Sequence, residues 1–158
     1  MKPIFLTKQE EKMIKEQLKE FGIEELPFTL LKFGKDRIRA YSGNFDRDEL
    51  NRISDNIFVE LIGVYFAKID GDEIRLSIDA LHLLKEQISK RVIEIDGEQK
   101  ERYLEGKDID ALEEQKKELG EGRGYFVLKH KEDILGMVKI VEGKIIKNYL
   151  PKERRRRV

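Results

Sequence analysis

The sequence contains no cysteine, and its 158 residues include only two histidines, His82 and His130. Without cysteine, the chain can form no disulfide, thiolate zinc site, iron–sulfur cluster or cysteine nucleophile. Two imidazoles are also too few for a metal site built from several histidines. These absences exclude several classes of catalysis, and we expect a protein with no catalytic residue, no metal and no cofactor.

Long apolar runs are missing as well. The longest, residues 57–67, is interrupted by Glu60 and falls well short of the roughly 20 residues that span a bilayer. Residues 1–5 lack the apolar core of a signal peptide. We therefore expect a soluble, cytoplasmic protein that does not contact a membrane.

Uncharged amide side chains are scarce, whereas charged side chains are abundant. Asparagine and glutamine together number 9, while charged residues make up 41% of the chain. Surface ion-pair networks and few labile amides are typical of proteins from thermophiles. The composition therefore predicts a thermophilic origin, with a very soluble small protein as the alternative.

The charges are distributed unevenly, although 32 basic residues balance 32 acidic ones. Residues 94–121 hold 5 basic and 11 acidic side chains, a net charge of −6, whereas residues 123–158 hold 11 basic and 4 acidic ones, a net charge of +7. This polarity indicates a basic face on the last part of the protein. The alternative is that the acidic region folds back and neutralises it.

The first half of the sequence predicts helices and paired strands. Thr7 and Glu10 form a capping box, and apolar residues then recur with helical spacing until Gly22, a left-handed C-terminal cap. Strands are predicted over residues 27–33, 37–41, 60–69 and 73–78, and helices over residues 46–53 and from a cap at Asp79 to about residue 89.

The second half predicts short strands with tight turns. A helix with Tyr103 on its inner face follows the first strand, and residues 107–121 predict a loop with a short helical piece. We expect Ile145, in the final strand, to point inward. The predicted strands cover residues 92–95, 125–130, 134–141 and 144–149.

Together these patterns predict an α+β protein of two parts. Residues 1–88 are predicted to form a small N-terminal α/β module. Residues 89–158 are predicted to form a second domain that is a mixed β-barrel.

The most concentrated positive charge lies near the C-terminus. The last predicted strand leads into Pro151, and residues 154–157 are four consecutive arginines. Guanidinium groups are not buried without partners, so the strand delivers positive charge to one place on the surface. Arginine binds phosphate oxygens through forked contacts, which makes a phosphate-bearing partner, and RNA above all, the expected ligand. A solvated terminus is the alternative.

The candidate RNA-binding residues are basic, aromatic or amide side chains near the predicted strand ends. An aromatic residue such as Tyr149 can stack on an unpaired base or pack on the core, and a lysine-rich edge strand can simply resist aggregation. The candidates are Arg123, Tyr125, Lys139, Lys144, Lys147, Asn148, Tyr149, Lys152, Arg154, Arg155, Arg156 and Arg157. A second candidate RNA contact lies on the first predicted hairpin, at Lys32, Lys35, Arg37 and Arg39.

Four motifs carry a family resemblance. They are Tyr103-Leu104-Glu105-Gly106-Lys107, Gly124-Tyr125-Phe126-Val127-Leu128, Leu135-Gly136-Met137-Val138-Lys139 and Gly143-Lys144-Ile145-Ile146-Lys147-Asn148-Tyr149-Leu150-Pro151-Lys152-Glu153-Arg154. In this order, the second half resembles the PUA-like domain at the C-terminus of the NOL1/NOP2/Sun (Fmu) RNA cytosine-5 methyltransferases. The first half resembles the smaller domain that precedes it. The resemblance implies a PUA-like fold and places Lys144, Lys147, Asn148 and Lys152 near RNA.

The resemblance does not extend to the catalytic domain of that family, which attacks cytosine with a cysteine thiolate and binds S-adenosylmethionine on a glycine-rich turn. We therefore expect a non-catalytic RNA-binding protein that recognises structured rRNA or tRNA in ribosome biogenesis or RNA modification. A separate methyltransferase or ribosome-assembly factor is the expected protein partner. The alternative is a protein-interaction adaptor module of an RNA-processing or methyltransferase complex.

Overall fold

The computed structural model describes residues 4–56 and 63–157. Over these residues the protein is α+β, with two five-stranded sheets. The chain divides into two compact units, Met1–Gln87 and Ile88–Val158. The predicted α+β class is confirmed, while the assignment of domains to residues 1–88 and 89–158 stays a prediction.

The first unit is a meander of antiparallel strands with helices between them. Its elements are β1 (Ile4–Phe5), α1 (Lys8–Glu20), β2 (Thr29–Phe33), β3 (Arg37–Tyr41), α2 (Arg47–Asn56), β4 (Val64–Asp70), β5 (Glu73–Leu76) and α3 (Ile78–Leu83). The sheet order follows the chain, β1-β2-β3-β4-β5. The start predicted for the fourth of these strands, at residue 60, lies outside the described residues.

The ends of α1 are set by local chemistry. The Thr7 hydroxyl accepts a hydrogen bond from the Glu10 N–H at 3.2 Å, and the Glu10 carboxylate accepts one from the Thr7 N–H at 2.9 Å. Gly22 follows the helix with a φ of +88°, a conformation that glycine adopts without steric cost. The predicted capping box and left-handed cap are therefore confirmed.

The start of α3 differs from the prediction. Ser77, and not Asp79, is the cap, because its hydroxyl accepts a hydrogen bond from the Ala80 N–H at 3.0 Å. The same hydroxyl donates to the Tyr65 carbonyl at 2.6 Å, so Ser77 also ties the helix to β4. The exposed Asp79 lies in the first turn, where its negative charge suits the helix N-terminus.

The first sheet contacts a different helix on each face. Lys32 of β2 reaches Glu10 of α1, with 2.5 Å between Nζ and Oε1. Its strand neighbours Leu31 and Phe33 pack instead with Leu50 of α2. Because successive side chains of a strand point to opposite faces, α1 and α2 lie on opposite sides of this sheet.

We expect acid to weaken the first unit through the Lys32–Glu10 pair. The hydrogen bond from Lys32, together with that from the Thr7 N–H, holds the pKa of the Glu10 carboxyl below its usual value. Its contribution to the free energy of unfolding is therefore complete above the unfolded-state pKa of about 4.3, and is lost as the pH falls through the lower folded-state pKa. Urea unfolding measured from about pH 7 to about pH 2 should show this loss in the wild type and much less of it in Glu10→Gln.

The matched control for this prediction is Glu16→Gln. Glu16 pairs with Lys12 on the same helix, but the Nζ–Oε1 distance is 4.0 Å and both side chains are exposed, so the pair contributes little. At neutral pH, Glu10→Gln should cost about 1 kcal/mol and Glu16→Gln less than that. If the free energy of unfolding depends on pH in the same way in both variants, the acid sensitivity does not come from the Lys32–Glu10 pair.

The second unit is built on a mixed sheet. Its elements are β6 (Val92–Glu94), α4 (Gly97–Leu104), β7 (Ile109–Asp110), α5 (Glu113–Leu119), β8 (Gly124–His130), β9 (Asp133–Val141), β10 (Ile145–Asn148) and a 3-10 helix (Lys152–Arg154). The sheet order is β6-β8-β9-β10-β7, with β6 parallel to β8 and the other pairs antiparallel. This mixed sheet curls into a half-barrel, consistent with a PUA-like domain.

The strand β7 lies where the sequence predicts a loop. Ile109 of β7 pairs with Ile146 of β10 and is buried. The strand has only two residues, and aspartates at 108 and 110 flank its apolar side chain. A strand of two residues is too short to be recognised from alternation, which needs about four to eight residues.

Two buried glutamines connect α4 and α5 to the edge of the sheet. The side-chain amides of Gln99 and Gln115 bond to each other reciprocally, with N–O distances of 2.8 and 2.9 Å. Gln99 also donates to the Asp110 carbonyl, while Gln115 donates to the Glu94 carbonyl and accepts from the Leu112 N–H. This paired network ties the two helices to β6 and β7, the two edge strands of the sheet.

Candidate nucleic-acid interface

One face of the second sheet carries a row of predicted site residues. The strand register places Tyr125 of β8 opposite Lys139 of β9, and Lys139 opposite Lys147 of β10. Residues directly opposite each other on paired strands share a face. The three side chains therefore form one row across three strands, and Lys147 is exposed in that row.

Tyr149 adjoins this row just beyond the end of β10. Its ring centroid lies 5.8 Å from that of Tyr125, with 60° between the ring planes, a tilted arrangement that aromatic pairs favour. The Lys139 ammonium lies 5.0 Å from the Tyr125 ring centroid, within cation–π range. Since Tyr125 is only 3% exposed, it supports its neighbours, and the half-buried Tyr149 is the tyrosine that a ligand can reach.

The orientation of β10 is opposite to the prediction. Ile146 is fully buried, whereas Ile145 is 42% exposed. The register explains the difference, because Ile146 pairs with the buried Ile140 while Ile145 pairs with Val141, which is 39% exposed. The expectation that Ile145 points inward was therefore wrong, and Ile145 shares the face of Lys147.

Two further predicted cations lie at one end of this face. Lys144 follows the β9–β10 turn, and Arg123 precedes β8; both side chains are exposed. The turn is tight, since Glu142 and Gly143 have φ values of +56° and +66°. A Cβ on Gly143 would lie 2.7 Å from the Gly120 carbonyl oxygen, so glycine is required there.

Arg91 is a residue of this region that the sequence reasoning missed. Its Nε donates to the Tyr125 carbonyl at 2.9 Å, and its Nη2 donates to the Arg123 carbonyl at 2.7 Å. Its guanidinium carbon lies 4.2 Å from the centroid of the Phe126 ring. Arg91 thus holds the backbone that carries Arg123 and Tyr125, from a position 32 to 34 residues away that no local pattern marks.

Asn148 lies on the other face of the sheet, and its side chain bonds within the unit. Its amide nitrogen donates to the carbonyls of Tyr103 at 2.8 Å and Lys107 at 2.9 Å, and its amide oxygen accepts from the Leu150 N–H at 2.7 Å. Both amide hydrogens are thereby used.

Burial raises the pKa of Tyr103 to about 12, so its hydroxyl stays protonated and donates to the Leu135 carbonyl at 3.3 Å.

The four consecutive arginines do not share one environment. Arg155 is partly buried, and its Nε donates to the Leu150 carbonyl at 2.9 Å. Its side chain lies against Gly106, where a Cβ would overlap Arg155 Cδ. Gly106 has a φ of +82°, which favours glycine, and a larger residue there would also displace the Arg155 side chain.

Arg156 contacts the acidic end of α4. Its Nη1 lies 2.6 Å from Oε2 of Glu101, and its N–H donates to the Leu104 carbonyl at 2.7 Å. The nearby Glu105 binds Lys107 at 2.6 Å, and that hydrogen bond holds the pKa of Glu105 below its usual value. The remaining cations of the tail, Lys152, Arg154 and Arg157, are exposed.

The second candidate contact, on the β2–β3 hairpin, does not form a single basic face. Lys32 bonds to Glu10 of α1, whereas Arg37 lies opposite Phe33 on the other side of the sheet. Arg39 shares the side of Arg37, since it pairs with Leu31, and its guanidinium donates to a backbone carbonyl, that of Gly63. Lys35, in the turn, is exposed.

Metal binding and membrane spanning are the two other functions considered for the described residues. In residues 4–56 and 63–157, no group of three or more His, Asp or Glu side chains could hold a metal ion. Within the same ranges, no helix has both the length and the apolar character needed to cross a membrane.

Comparison with known proteins supplies a family for the second unit. Residues 90–156 match the family model of the methyltransferase RsmF PUA domain. A search of curated proteins found no match to this chain. The match supports a PUA-like region, similar to that of the Sun/Fmu methyltransferase family, at residues 90–156.

Proposed function

We propose that the protein binds structured RNA, either rRNA or tRNA, in ribosome biogenesis or RNA modification, and that it catalyses no reaction on that RNA. The observation that carries this proposal is the row formed by Tyr125, Lys139 and Lys147 across three strands of a PUA-like region. PUA-type domains generally bind RNA.

The arrangement of cations supports phosphate contact. Lys144 lies in the β9–β10 turn and Lys147 lies on β10, and both are exposed. Neither forms an ion pair within the described residues. Cations that already have protein partners gain less from a phosphate than cations paired only with solvent, because the first partner must be displaced. Contacts of this kind position an RNA without reading its sequence, so recognition rests mainly on shape and on a few exposed bases.

The chemistry of the chain supports a role without catalysis. With no cysteine, this chain cannot make the thiolate attack that the resemblance associates with the methyltransferase family. We therefore propose that a separate methyltransferase or ribosome-assembly factor acts on the RNA that this protein holds.

The salt dependence of RNA binding tests the proposal. Fluorescence anisotropy with a labelled tRNA transcript and a labelled rRNA stem-loop should give a log–log slope against salt of roughly −3, if about four phosphates are contacted at ~0.7 per phosphate. The full chain should bind both RNAs more tightly than it binds a neutral polymer of the same length.

Two outcomes would contradict the proposal, which combines RNA binding with phosphate contact at the lysine row. One is a lack of binding to either RNA at low salt. The other is a slope near zero, because RNA binding without counterion release would not use the lysine row. If the chain retains neither RNA but captures a methyltransferase or another RNA-processing protein, the adaptor function is the better description.

A further inference from the structure

The exposed part of the second sheet combines apolar and cationic side chains. Val141 and Ile145 lie directly opposite each other on β9 and β10, and both are large apolar residues exposed to solvent. Two residues further along the same strands, on the same face, are Lys139 and Lys147. The face therefore changes from apolar to basic over two residues of each strand.

Tyr149 continues this face beyond β10. It lies two residues after Lys147 and is held by its tilted contact with Tyr125, so its ring is oriented before any ligand arrives. From Ile145 to Tyr149 the strip is about 13 Å long, at roughly 3.3 Å per residue. A sheet surface of this size has room for about two or three stacked bases.

A mixed apolar and cationic strip of this kind suits one form of RNA. In a duplex, the faces of the bases are stacked on one another and only edges, sugars and phosphates reach a protein. An unpaired strand presents flat base faces together with phosphates. Isolated lysines could bind either form, but of the two forms only an unpaired strand offers flat base faces on which the exposed Val141–Ile145 pair and the Tyr149 ring can pack.

From this geometry we infer that the strip of Val141, Ile145, Lys147 and Tyr149 binds an unpaired segment of RNA, with a base stacked on Tyr149 and phosphates near Lys147. This inference rests on the proposed RNA binding and adds the form of RNA that the site takes. The structured RNA is then held where a loop, bulge or strand end lies on the sheet.

A change at Tyr149 tests the stacking. A labelled single-stranded RNA of about 12 nucleotides is compared with the same strand annealed to its complement. The wild-type chain should bind the single strand at least about 10-fold more tightly. Tyr149→Ala should weaken single-strand binding by about 5- to 150-fold while changing duplex binding much less, and Tyr149→Phe should retain most of the affinity.

A spectroscopic variant keeps the inference testable if Tyr149→Ala disturbs the packing on Tyr125. The chain contains no tryptophan, so Tyr149→Trp introduces a single indole at the stacking position. Its fluorescence should be quenched by the single strand and not by the duplex.

The control for the affinity measurements is Phe45→Ala, which removes an aromatic side chain that is 54% exposed in the first unit. It should leave the affinities for the single strand and for the duplex unchanged.

The outcomes separate this inference from the function on which it rests. Equal affinity for single strand and duplex, or unquenched indole fluorescence of Tyr149→Trp in its complex with the single strand, overturns the strip as a site for unpaired RNA while RNA binding itself stands. Failure to bind either RNA form at low salt overturns RNA binding and the strip together.

Discussion

Asn148→Ala is expected to lower the free energy of unfolding of the second unit by about 1–3 kcal/mol, since it leaves part-buried polar groups unpaired. The amide of Asn148 bonds to the carbonyls of Tyr103 and Lys107 and to the Leu150 N–H. These three groups belong to the end of α4, the segment after it and the segment after β10. One truncation therefore removes two hydrogen bonds between the end of β10 and the end of α4, while the contacts of Arg155 and Arg156 remain. Urea unfolding followed by circular dichroism measures the change.

Two substitutions sharpen this prediction. Asn148→Asp keeps an acceptor for the Leu150 N–H, but it places carboxylate oxygens against two carbonyls. It also adds a negative charge near Asp108, whose carboxylate accepts a hydrogen bond from the backbone N–H of residue 148 at 2.9 Å. We therefore expect Asn148→Asp to be at least as destabilised as Asn148→Ala. Lys147→Ala, at the exposed neighbouring position, should change stability by less than about 0.5 kcal/mol.

RNA affinity distinguishes the structural role of Asn148 from the direct contact that the sequence suggests. At a temperature where Asn148→Ala is folded, we expect its RNA affinity to match that of the wild type. A variant as stable as the wild type with clearly weaker RNA binding would instead make Asn148 an RNA contact.

Sequence reasoning predicted both ends of α1, because their causes lie within a few residues. The capping box of Thr7 and Glu10 and the left-handed Gly22 depend only on nearby backbone groups. The predicted strand over residues 37–41 also matches β3, whose side chains alternate between the two faces, and such alternation along a single strand is a local property. Such features can be predicted without knowledge of which strands pair.

One error is local, because the cap of α3 is Ser77 and not the predicted Asp79, whereas the error in β10 has a cause that lies far away along the chain. The Ile145-Ile146 dipeptide offers two apolar neighbours, and only the pairing of Ile146 with Ile140 and with Ile109 decides which one is buried. A shift of one residue in register exchanges the two faces of a strand. The same reason explains why the exposed strip on this face could not be read from the sequence.

In the basic tail, partners that lie far away along the chain also decide the surroundings of individual side chains. Four consecutive arginines have identical local chemistry, yet Arg155 packs on Gly106 and Arg156 binds Glu101. Both partners come from α4 or the turn after it, about 50 residues earlier in the chain. A count of charge therefore overstates the number of cations that the tail can offer to a phosphate.

Neutralising four exposed cations of the second unit is expected to weaken binding to structured RNA by about 100-fold or more in about 0.1 M salt, because each phosphate contact releases counterions and contributes to affinity roughly independently of sequence. The variant combines Lys144→Gln, Lys147→Gln, Lys152→Gln and Arg157→Gln. It retains Arg155 and Arg156, whose contacts with Leu150 and Glu101 anchor the tail. The measurement is anisotropy with the tRNA transcript and the rRNA stem-loop across a salt series.

The control for this variant must remove the same charge from another part of the chain. Lysines at positions 8, 12, 15 and 19 are exposed on α1 of the first unit, and changing all four to glutamine gives the same net charge with the second unit intact. If binding depends on the sheet and tail of the second unit, the salt slope should become less negative by ~0.7 for each phosphate that the first variant no longer binds, and it should stay unchanged in the control. An equal loss of affinity in both variants would mean that RNA responds to the overall charge of the protein, and the lysines of the second unit would then have no special role.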